Sequence, residues 1–430
     1  MKKVFLIAPE HTKPQREEIP IGLLYIASYL KKKGHQVRLF DMSVESTDLK
    51  KEVFAFKPNV VGISMHTDLR FVISKISKWI KRIIPECKIV VGGPHPTFAG
   101  EEVLESNPQI DIAVKGEGEE TFLKILEGEN LAEIPGICFR DNNKIIDTGQ
   151  PGRIDLNTLP IPAYELLNLN QYKYKLRNGD AGINIITSKG CPFRCTFCSA
   201  GAMYPEIKFR DPELILEEVD TLKDKFGYRS LVIEDDTFGV NRKYAERILE
   251  GLKDRGIQFV VKSRANLLNR EFVKKLKETG CIEVKFGVES IVPRIRNLMN
   301  KKIETWQIEN ALKFGEEFKL PMEVYMMIGN YGEEEEDAKQ SLSFVTQIRK
   351  RGHHAAINYG VIIYPGTLLE ERAKKEGLLP QRFSWSRKFF NRAYLRLGAL
   401  PYTPILEHRL SVKDLIRIKR EFKKIRKRQR

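Results

Sequence analysis

The sequence predicts an α/β chain in two parts, a doubly wound parallel sheet and then a partial (β/α)6 barrel, with a basic helical tail. Three observations predict it. Residues 1–127 alternate short Val- and Ile-rich runs with amphipathic stretches. A Pro-punctuated segment of different character follows over 128–180. The alternation then resumes over 181–375 and gives way to an aromatic and basic region over 376–430. Such alternation implies parallel strands, because a parallel pair needs a crossover long enough to hold a helix.

In the first part the strand candidates are Val4–Ala8, Val37–Asp41, Val60–Ser64, Ile89–Gly92 and Ile112–Lys115. Their Val and Ile content reads as burial on both faces. Helix candidates between them are Gly22–Lys33, Leu49–Phe56, Arg70–Ile84, Gly100–Ser106 and Glu119–Leu126. Units of this kind in series predict a flavodoxin-like sheet, which binds ligands at the carboxyl ends of its strands. Those ends carry Gly, Pro, His, Ser and Thr here.

Between the two parts, Ile137–Arg140 and Lys144–Ile146 flank Asp141-Asn142-Asn143 and read as a β-hairpin. Leu159-Pro160-Ile161-Pro162-Ala163 then reads as a connector. The barrel strands are expected at Ile183–Thr187, Ser230–Glu234, Gln258–Lys262, Ile282–Phe286, Met322–Ile328 and Ala356–Ile363. A full barrel has eight strands, so this one is partial, with its chemistry expected at the carboxyl ends of the strands.

The composition is ordinary for a globular protein, 42% hydrophobic and 30% charged over 430 residues. No apolar run reaches the roughly 18–20 residues of a membrane span. The opening apolar run, Val4–Ala8, stops at Pro9-Glu10, too soon for a secretory signal. A cytoplasmic location is expected. The net charge is +16, and half of that excess lies in Ser411–Arg430. Within this tail Leu415, Ile418, Phe422 and Ile425 recur at helical spacing, so it reads as a helix with one docked face. Contact of its basic face with an anionic membrane surface is the alternative, and no nucleic-acid partner is expected.

Six cysteines in a chain of this length are no disulfide framework. Cys87, Cys138 and Cys281 read as small buried apolar residues. Cys191, Cys195 and Cys198 differ, because they share one short loop after the first barrel strand. A [4Fe–4S] cube usually takes four thiolates, so three leave one iron open to an outside ligand. Structural zinc would ask for a fourth ligand, and the nearest flanking histidines are His95 and His353.

The Cys-x3-Cys-x2-Cys spacing, with Phe197 before the last cysteine, resembles the signature loop of the radical S-adenosylmethionine (SAM) enzymes. The resemblance implies that SAM chelates the open iron and is cleaved on one-electron reduction to a 5′-deoxyadenosyl radical. It also implies an external donor such as a flavodoxin or ferredoxin. Glu234-Asp235-Asp236 resembles the turn that accepts the SAM ammonium, but without the family's two glycines, and the choice among the three stays open. Gly287-Val288-Glu289-Ser290 is similar to the ribose-contacting turn, although Ser290 also reads as a helix N-cap. Met327-Ile328-Gly329 resembles the adenine-side turn, with Asn330-Tyr331 in place of the usual Leu-Pro. Arg264 stands where family members often have an arginine near SAM, and an ion pair is its alternative. Glu333–Asp337 opens a helix, where negative charge suits the helix dipole, and receives no chemistry.

The first part resembles the cobalamin-binding domain fused to many of these enzymes. The resemblance rests on Pro20–Tyr25, Ser64, His66 and Thr67, the run Gly92-Gly93-Pro94-His95-Pro96-Thr97, and Gly116-Glu117-Gly118-Glu119. Domains that use a histidine ligand to cobalt carry Asp-x-His-x-x-Gly after the first strand. This chain has Pro9-Glu10-His11-Thr12-Lys13-Pro14 there, so cobalamin without a histidine ligand is implied. His11, His66 and His95 are expected as loop residues. A region with Trp385, Phe389, Phe390 and Tyr394 resembles the group's aromatic tail and is expected to cap the barrel mouth. The function implied is methylation of an unactivated carbon in a small-molecule or lipid substrate. Radical cyclisation or carbon–carbon joining without methyl transfer is the alternative.

Overall fold

The computed structural model describes residues 1–10, 18–142, 144–172 and 174–428. His11 and Asn143 therefore lie outside the described residues, as does the side chain of Ile425. The chain divides into two compact units. Met1–Tyr174 with Ser384–Lys388 form the first, and Lys175–Phe383 with Phe389–Arg430 the second.

The first unit is built on a seven-stranded sheet. Its strands are β1 (Lys3–Ala8), β2 (Gln36–Asp41), β3 (Val60–Ser64), β4 (Lys88–Gly92), β5 (Ile112–Val114), β6 (Ile137–Asp141) and β7 (Lys144–Asp147). The order is β2-β1-β3-β4-β5-β6-β7. The first five are parallel and follow the flavodoxin-like order, while β6 and β7 are antiparallel. The hairpin is thus part of the sheet. The helices are α1 (Ile21–Lys32), α2 (Leu49–Phe56), α3 (Arg70–Ile83), α4 (Pro94–Ser106) and α5 (Glu119–Glu127). In α3, Ile73, Ile76, Ser77 and Ile80 repeat at helical spacing and are all buried. Each buried isoleucine contributes roughly 1.5–3 kcal/mol relative to exposure.

One element begins earlier than its sequence pattern predicts. Residues 94–97, expected in a loop, form the first turn of α4. The prolines are compatible with that turn, whose N–H groups have no partner in the helix anyway. Thr97 closes the turn by donating its N–H and its hydroxyl to the Gly93 carbonyl, at 3.2 and 2.7 Å. The helix kinks at Ala99, one residue before the start expected from sequence, Gly100.

The second unit carries six parallel strands in sequential order, β8 (Ile183–Ile185), β11 (Ser230–Ile233), β12 (Gln258–Ser263), β13 (Cys281–Glu289), β14 (Met322–Ile328) and β15 (His354–Tyr359). A short antiparallel pair, β9 (Ser188–Lys189) and β10 (Lys208–Phe209), brackets the cysteine loop. Sequential order is the winding of a (β/α) barrel, with β8 and β15 at its two ends. The helices are α6 (Ala200–Met203), α7 (Pro212–Phe226), α8 (Arg242–Asp254), α9 (Arg270–Glu278), α10 (Pro293–Leu298), α11 (Thr305–Glu317), α12 (Glu335–Lys350), α13 (Leu368–Lys375), α14 (Tyr394–Leu397) and α15 (Val412–Arg428). β15 ends sooner than expected because Gly360 turns the backbone to a φ of 89°. The following residues pair instead with the segment before α15, through the bridge of Ile362 to Ile405. The basic tail is helical, and its Leu415, Ile418 and Phe422 are buried. No helix among the described residues is long and apolar enough to cross a membrane.

Candidate active site

The three cysteines leave β9 on a loop whose shape depends on close backbone approach. Gly190 has a φ of 112°, and a Cβ there would lie 2.4 Å from the Glu206 carbonyl. A Cβ on Gly201 would lie 2.2 Å from the Phe193 carbonyl. Within the loop, the Cys191 N–H donates to the Tyr204 carbonyl and the Cys198 N–H to the Cys195 carbonyl, both at 3.1 Å. Thr196 ties the centre down from two sides. Its N–H donates to the Met299 carbonyl at 2.9 Å, and its carbonyl accepts from the Leu369 N–H at 2.8 Å. All three thiols are free and partly exposed.

The donor set suits a cube. Three cysteine thiols on one short loop offer thiolates, the ligands an iron–sulfur cluster takes. Burial pushes the Cys198 thiol up, and Cys195, Cys191 and Asp236 push it the same way, while a backbone hydrogen bond at Ala200 opposes them.

The acidic triplet after β11 divides into three tasks. Asp235, buried at 2% exposure, accepts from the N–H and hydroxyl of Thr187 at 2.7 and 2.5 Å, and from those of Ser188 at 3.1 and 2.6 Å. A carboxylate has about four lone-pair sites. Asp235 therefore ties β8 to β11 and is not placed to take an ammonium. Glu234 pairs with Lys262. Asp236 is exposed and accepts the Gly190 N–H at 3.1 Å, at the root of the cysteine loop. Thr237, which follows it, has its hydroxyl 3.5 Å from the Cys191 sulfur.

Glu289 ends β13 with a φ of 68°. Its carboxylate accepts from the Lys301 ammonium at 2.9 Å, and that ammonium stands 5.8 Å from the Phe197 ring centroid. Ser290 does not behave as expected. It is fully buried, its hydroxyl lies 3.2 Å from that of Ser341 on α12, and it accepts the Val292 N–H at 3.3 Å. It caps no helix, since Val292 is the residue that precedes α10.

Arg264 is likewise engaged by the protein. Its guanidinium reaches the Cys195 sulfur at 3.6 Å, donates to the Lys301 carbonyl and lies 3.6 Å from the Phe193 ring centroid. Among the described residues none of its partners is a carboxylate, so it forms no ion pair. Gly329, with a φ of 99°, donates its N–H to Glu333 at 2.6 Å, and Asn330 does so at 2.8 Å. Burial pushes the Glu333 carboxyl up to about 7, against these bonds. Tyr331, in the place of the family's proline, stacks on His408 at 4.3 Å and donates to Glu376. Sequence reading missed Lys301, Thr237 and Glu333. Only Glu333 carried a local signal, as a carboxylate four residues after a turn glycine.

In the first unit, the carboxyl ends of β3, β4 and β5 lie side by side. Met65 donates to the Gly92 carbonyl at 2.7 Å and accepts from the His95 N–H at 3.2 Å. A Cβ on Gly93, with its φ of 111°, would lie 3.1 Å from the Met65 carbonyl. Thr97 accepts the Gly116 N–H at 3.0 Å. Ser64 and Gly92 end their strands, His66 and Thr67 follow β3, and Gly118 precedes α5. Glu117 turns instead to the segment after β7, accepting the Ile154 N–H at 2.9 Å, and Glu119 is buried in the first turn of α5. His95 and Pro96 are buried in α4 rather than set in a loop. Burial, aided by the Arg70 guanidinium, pushes the His95 imidazole down to about 3. Trp385 is part of the first unit, while Phe389, Phe390 and Tyr394 are part of the second. Trp385 is buried, its ring 5.8 Å from His95 and 5.5 Å from the Arg70 guanidinium.

Two family descriptions match this chain, a B12 binding domain over residues 12–126 and the Radical SAM superfamily over 185–345. An uncharacterized methyltransferase of Pyrococcus horikoshii is 32% identical over 375 residues, spanning 84% of this chain and 79% of that protein. The chain belongs to the radical SAM enzymes that carry a cobalamin-binding domain. As a member of that family it is an enzyme, and its cofactors are a [4Fe–4S] cluster, SAM and cobalamin. An anaerobic magnesium-protoporphyrin IX monomethyl ester cyclase of Cereibacter sphaeroides is 25% identical over 344 residues, covering 75% of this chain and 55% of the cyclase. The chain spans about half the length of that relative. This radical SAM enzyme also shares its fold with TsrM, a radical SAM methyltransferase of Kitasatospora setae solved with tryptophan and a SAM analog. That likeness has a TM-score of 0.75 at 18% identity, over 97% of this chain and 89% of that one.

Proposed function

We propose that this enzyme methylates an unactivated carbon of a small-molecule or lipid substrate, in the cytoplasm, with an external one-electron donor. The observation that carries the reading is the grouping of Cys191, Cys195 and Cys198 on one loop, with Asp236 bonded to its root. When bound, the cluster, SAM and cobalamin supply the electron, the radical and the methyl group.

In this reading the three thiolates hold the cluster. Asp236 and Glu234 accept the SAM ammonium, which carboxylates suit by charge. Glu289 bonds the ribose diol, with Lys301 fixing its carboxylate, and the Gly329 turn lies along the adenine. Phe197 walls the site beside the last cysteine. Ser64, Thr67, Gly92, Gly93, Thr97, Gly116 and Gly118 let the backbone approach cobalamin closely, and no histidine ligates its cobalt.

The apolar face of α15 is buried within its own unit, while Lys413, Arg420, Lys423 and Lys424 are exposed. We propose that these cations make a reversible, salt-sensitive contact with an anionic membrane surface. Sedimentation with phosphatidylserine vesicles at low salt, and release at high salt, is the expected result.

The test of the function is anaerobic reconstitution with iron, sulfide and hydroxocobalamin. One cobalamin per chain is expected to co-elute. Replacing Cys195 by Ala is expected to abolish 5′-deoxyadenosine formation and to leave cobalamin bound. Retained 5′-deoxyadenosine formation in that variant would defeat the reading. With substrate, a product heavier by one methyl group supports methylation, and a mass-neutral or dehydrogenated product supports the cyclase-type alternative.

A further inference from the structure

We propose that Arg264 sets the reduction potential of the cluster through the sulfur of Cys195. The inference rests on the cluster reading above and gives this arginine a task that differs from holding SAM.

Arg264 is only 5% exposed. Its Nε donates to Asn266 Oδ1 at 3.2 Å and its Nη2 to the Lys301 carbonyl. One face lies over the Phe193 ring. These contacts come from the turn after β12, the turn after α10 and the cysteine loop, so they fix the group from several sides. In that position Nη1 is directed at Cys195 Sγ, 3.6 Å away. A guanidinium keeps its charge at every working pH. A permanent cation with an N–H donor therefore stands on one ligand sulfur, away from bulk water.

The other two sulfurs have no comparable partner among the described residues. Cys191 has only the Thr237 hydroxyl at 3.5 Å, and that hydroxyl donates to the Asp236 carbonyl at 2.6 Å. Cys198 has a backbone hydrogen bond at Ala200. Among the described residues the cationic contact falls on Cys195 alone.

Cluster potentials respond to net charge, to hydrogen bonds on the sulfurs and to exposure. Reduction by the external donor adds one electron to the cluster, and its sulfurs take up part of that charge. No bond is made or broken at Arg264 and no proton moves. A cation and donor at the sulfur stabilise the reduced form more than the oxidised one. Arg264 thereby makes the cluster easier to reduce, acting as a positioning residue through Cys195.

The experiment compares reconstituted wild type with Arg264→Gln and Arg264→Lys, without SAM or substrate. Iron and sulfide per chain are measured first, then the midpoint potential by redox titration followed by electron paramagnetic resonance. At equal iron content the Gln variant is expected to shift to a more negative midpoint. The Lys variant, charged but lacking the fork, is expected between the two. A purely structural role would leave the midpoint of a fully assembled cluster where it is. Equal midpoints for wild type and Gln at equal iron content overturn the proposal. Should the Gln variant lose its iron, the Lys variant decides: a negative shift supports the proposal and an unchanged midpoint overturns it. Failure of the wild type itself to take up iron is a different result, and it overturns the cluster reading on which this one rests.

Discussion

The buried carboxylate of Glu289 is held by the ammonium of Lys301 at 2.9 Å, on a backbone whose φ of 68° belongs to the left-handed region. A charged residue with a bulky side chain pays about 1 kcal/mol or more to stay in that region. It persists where surrounding contacts over-determine it, which is common at functional sites.

This pair makes a contrast testable by urea unfolding. Replacing Glu289 by Gly or by Ala removes the same carboxylate, but Gly relieves the backbone. The Gly variant is expected to be more stable than the Ala variant by about 1 kcal/mol. Lys301→Met leaves the carboxylate buried and unpaired, at a cost of about 3–5 kcal/mol. Equal unfolding midpoints for the Gly and Ala variants would show that no strain is stored there.

A methyl group on Gly201 has nowhere to go, because the Phe193 carbonyl stands 2.2 Å from its place. Gly201→Ala is expected to distort the cysteine loop while the sheets remain. Iron per chain after reconstitution should fall well below wild type with an unchanged far-ultraviolet circular dichroism spectrum. Full iron loading would show that the loop tolerates the shift.

Glu333 gives stability a pH dependence. Its carboxyl is raised to about 7 by burial, against an ordinary value of 4.5. The folded state then binds the extra proton between those values, so stability falls as pH rises through this window. The loss is on the order of 3 kcal/mol, since each tenfold gain in proton affinity is worth about 1.36 kcal/mol. Glutamine can accept the same N–H bonds from Gly329 and Asn330 without a charge. The gap in unfolding free energy between Glu333→Gln and wild type should therefore widen from pH 5 to pH 8, and a constant gap would contradict this.

His95 is pushed down to about 3 and stays neutral at working pH, buried against Trp385. His95→Phe is expected to lower the melting temperature, because the larger ring overfills its place at a cost of about 1–3 kcal/mol. Cobalamin should remain bound with an unchanged visible spectrum. A changed spectrum in this variant would mean that a histidine ligand to cobalt had been lost.

The strands and most helices were legible because Val, Ile and their spacing report burial directly. The start of α4 was not, since Gly-Gly-Pro-His-Pro carries turn residues, while Pro and Gly also serve the beginning of a helix. In the site, the cysteine loop was legible because its three ligands are close in sequence. The partners of Glu289, Ser290 and Arg264 were not. Lys301 lies 12 residues from Glu289, Ser341 lies 51 from Ser290, and Cys195 lies 69 from Arg264. Pairings at such separations are created by the winding of the chain and leave no local pattern. Asp235 and Asp236 are adjacent and chemically identical, and only the position of Thr187 and Ser188 tells them apart.

The hairpin on the first sheet bears on how this protein can be divided. A fragment ending near residue 127 has all five parallel strands, but it uncovers the hydrogen-bonding edge of β5, along Ile112, Ala113 and Val114. Bare apolar edges recruit other chains and aggregate. Natural sheets guard their borders with short, charged strands, and β7 is four residues long with Lys144 and Asp147 at its ends. A soluble first unit therefore has to extend beyond Asp147, into a segment that the strand–helix rhythm alone would have discarded.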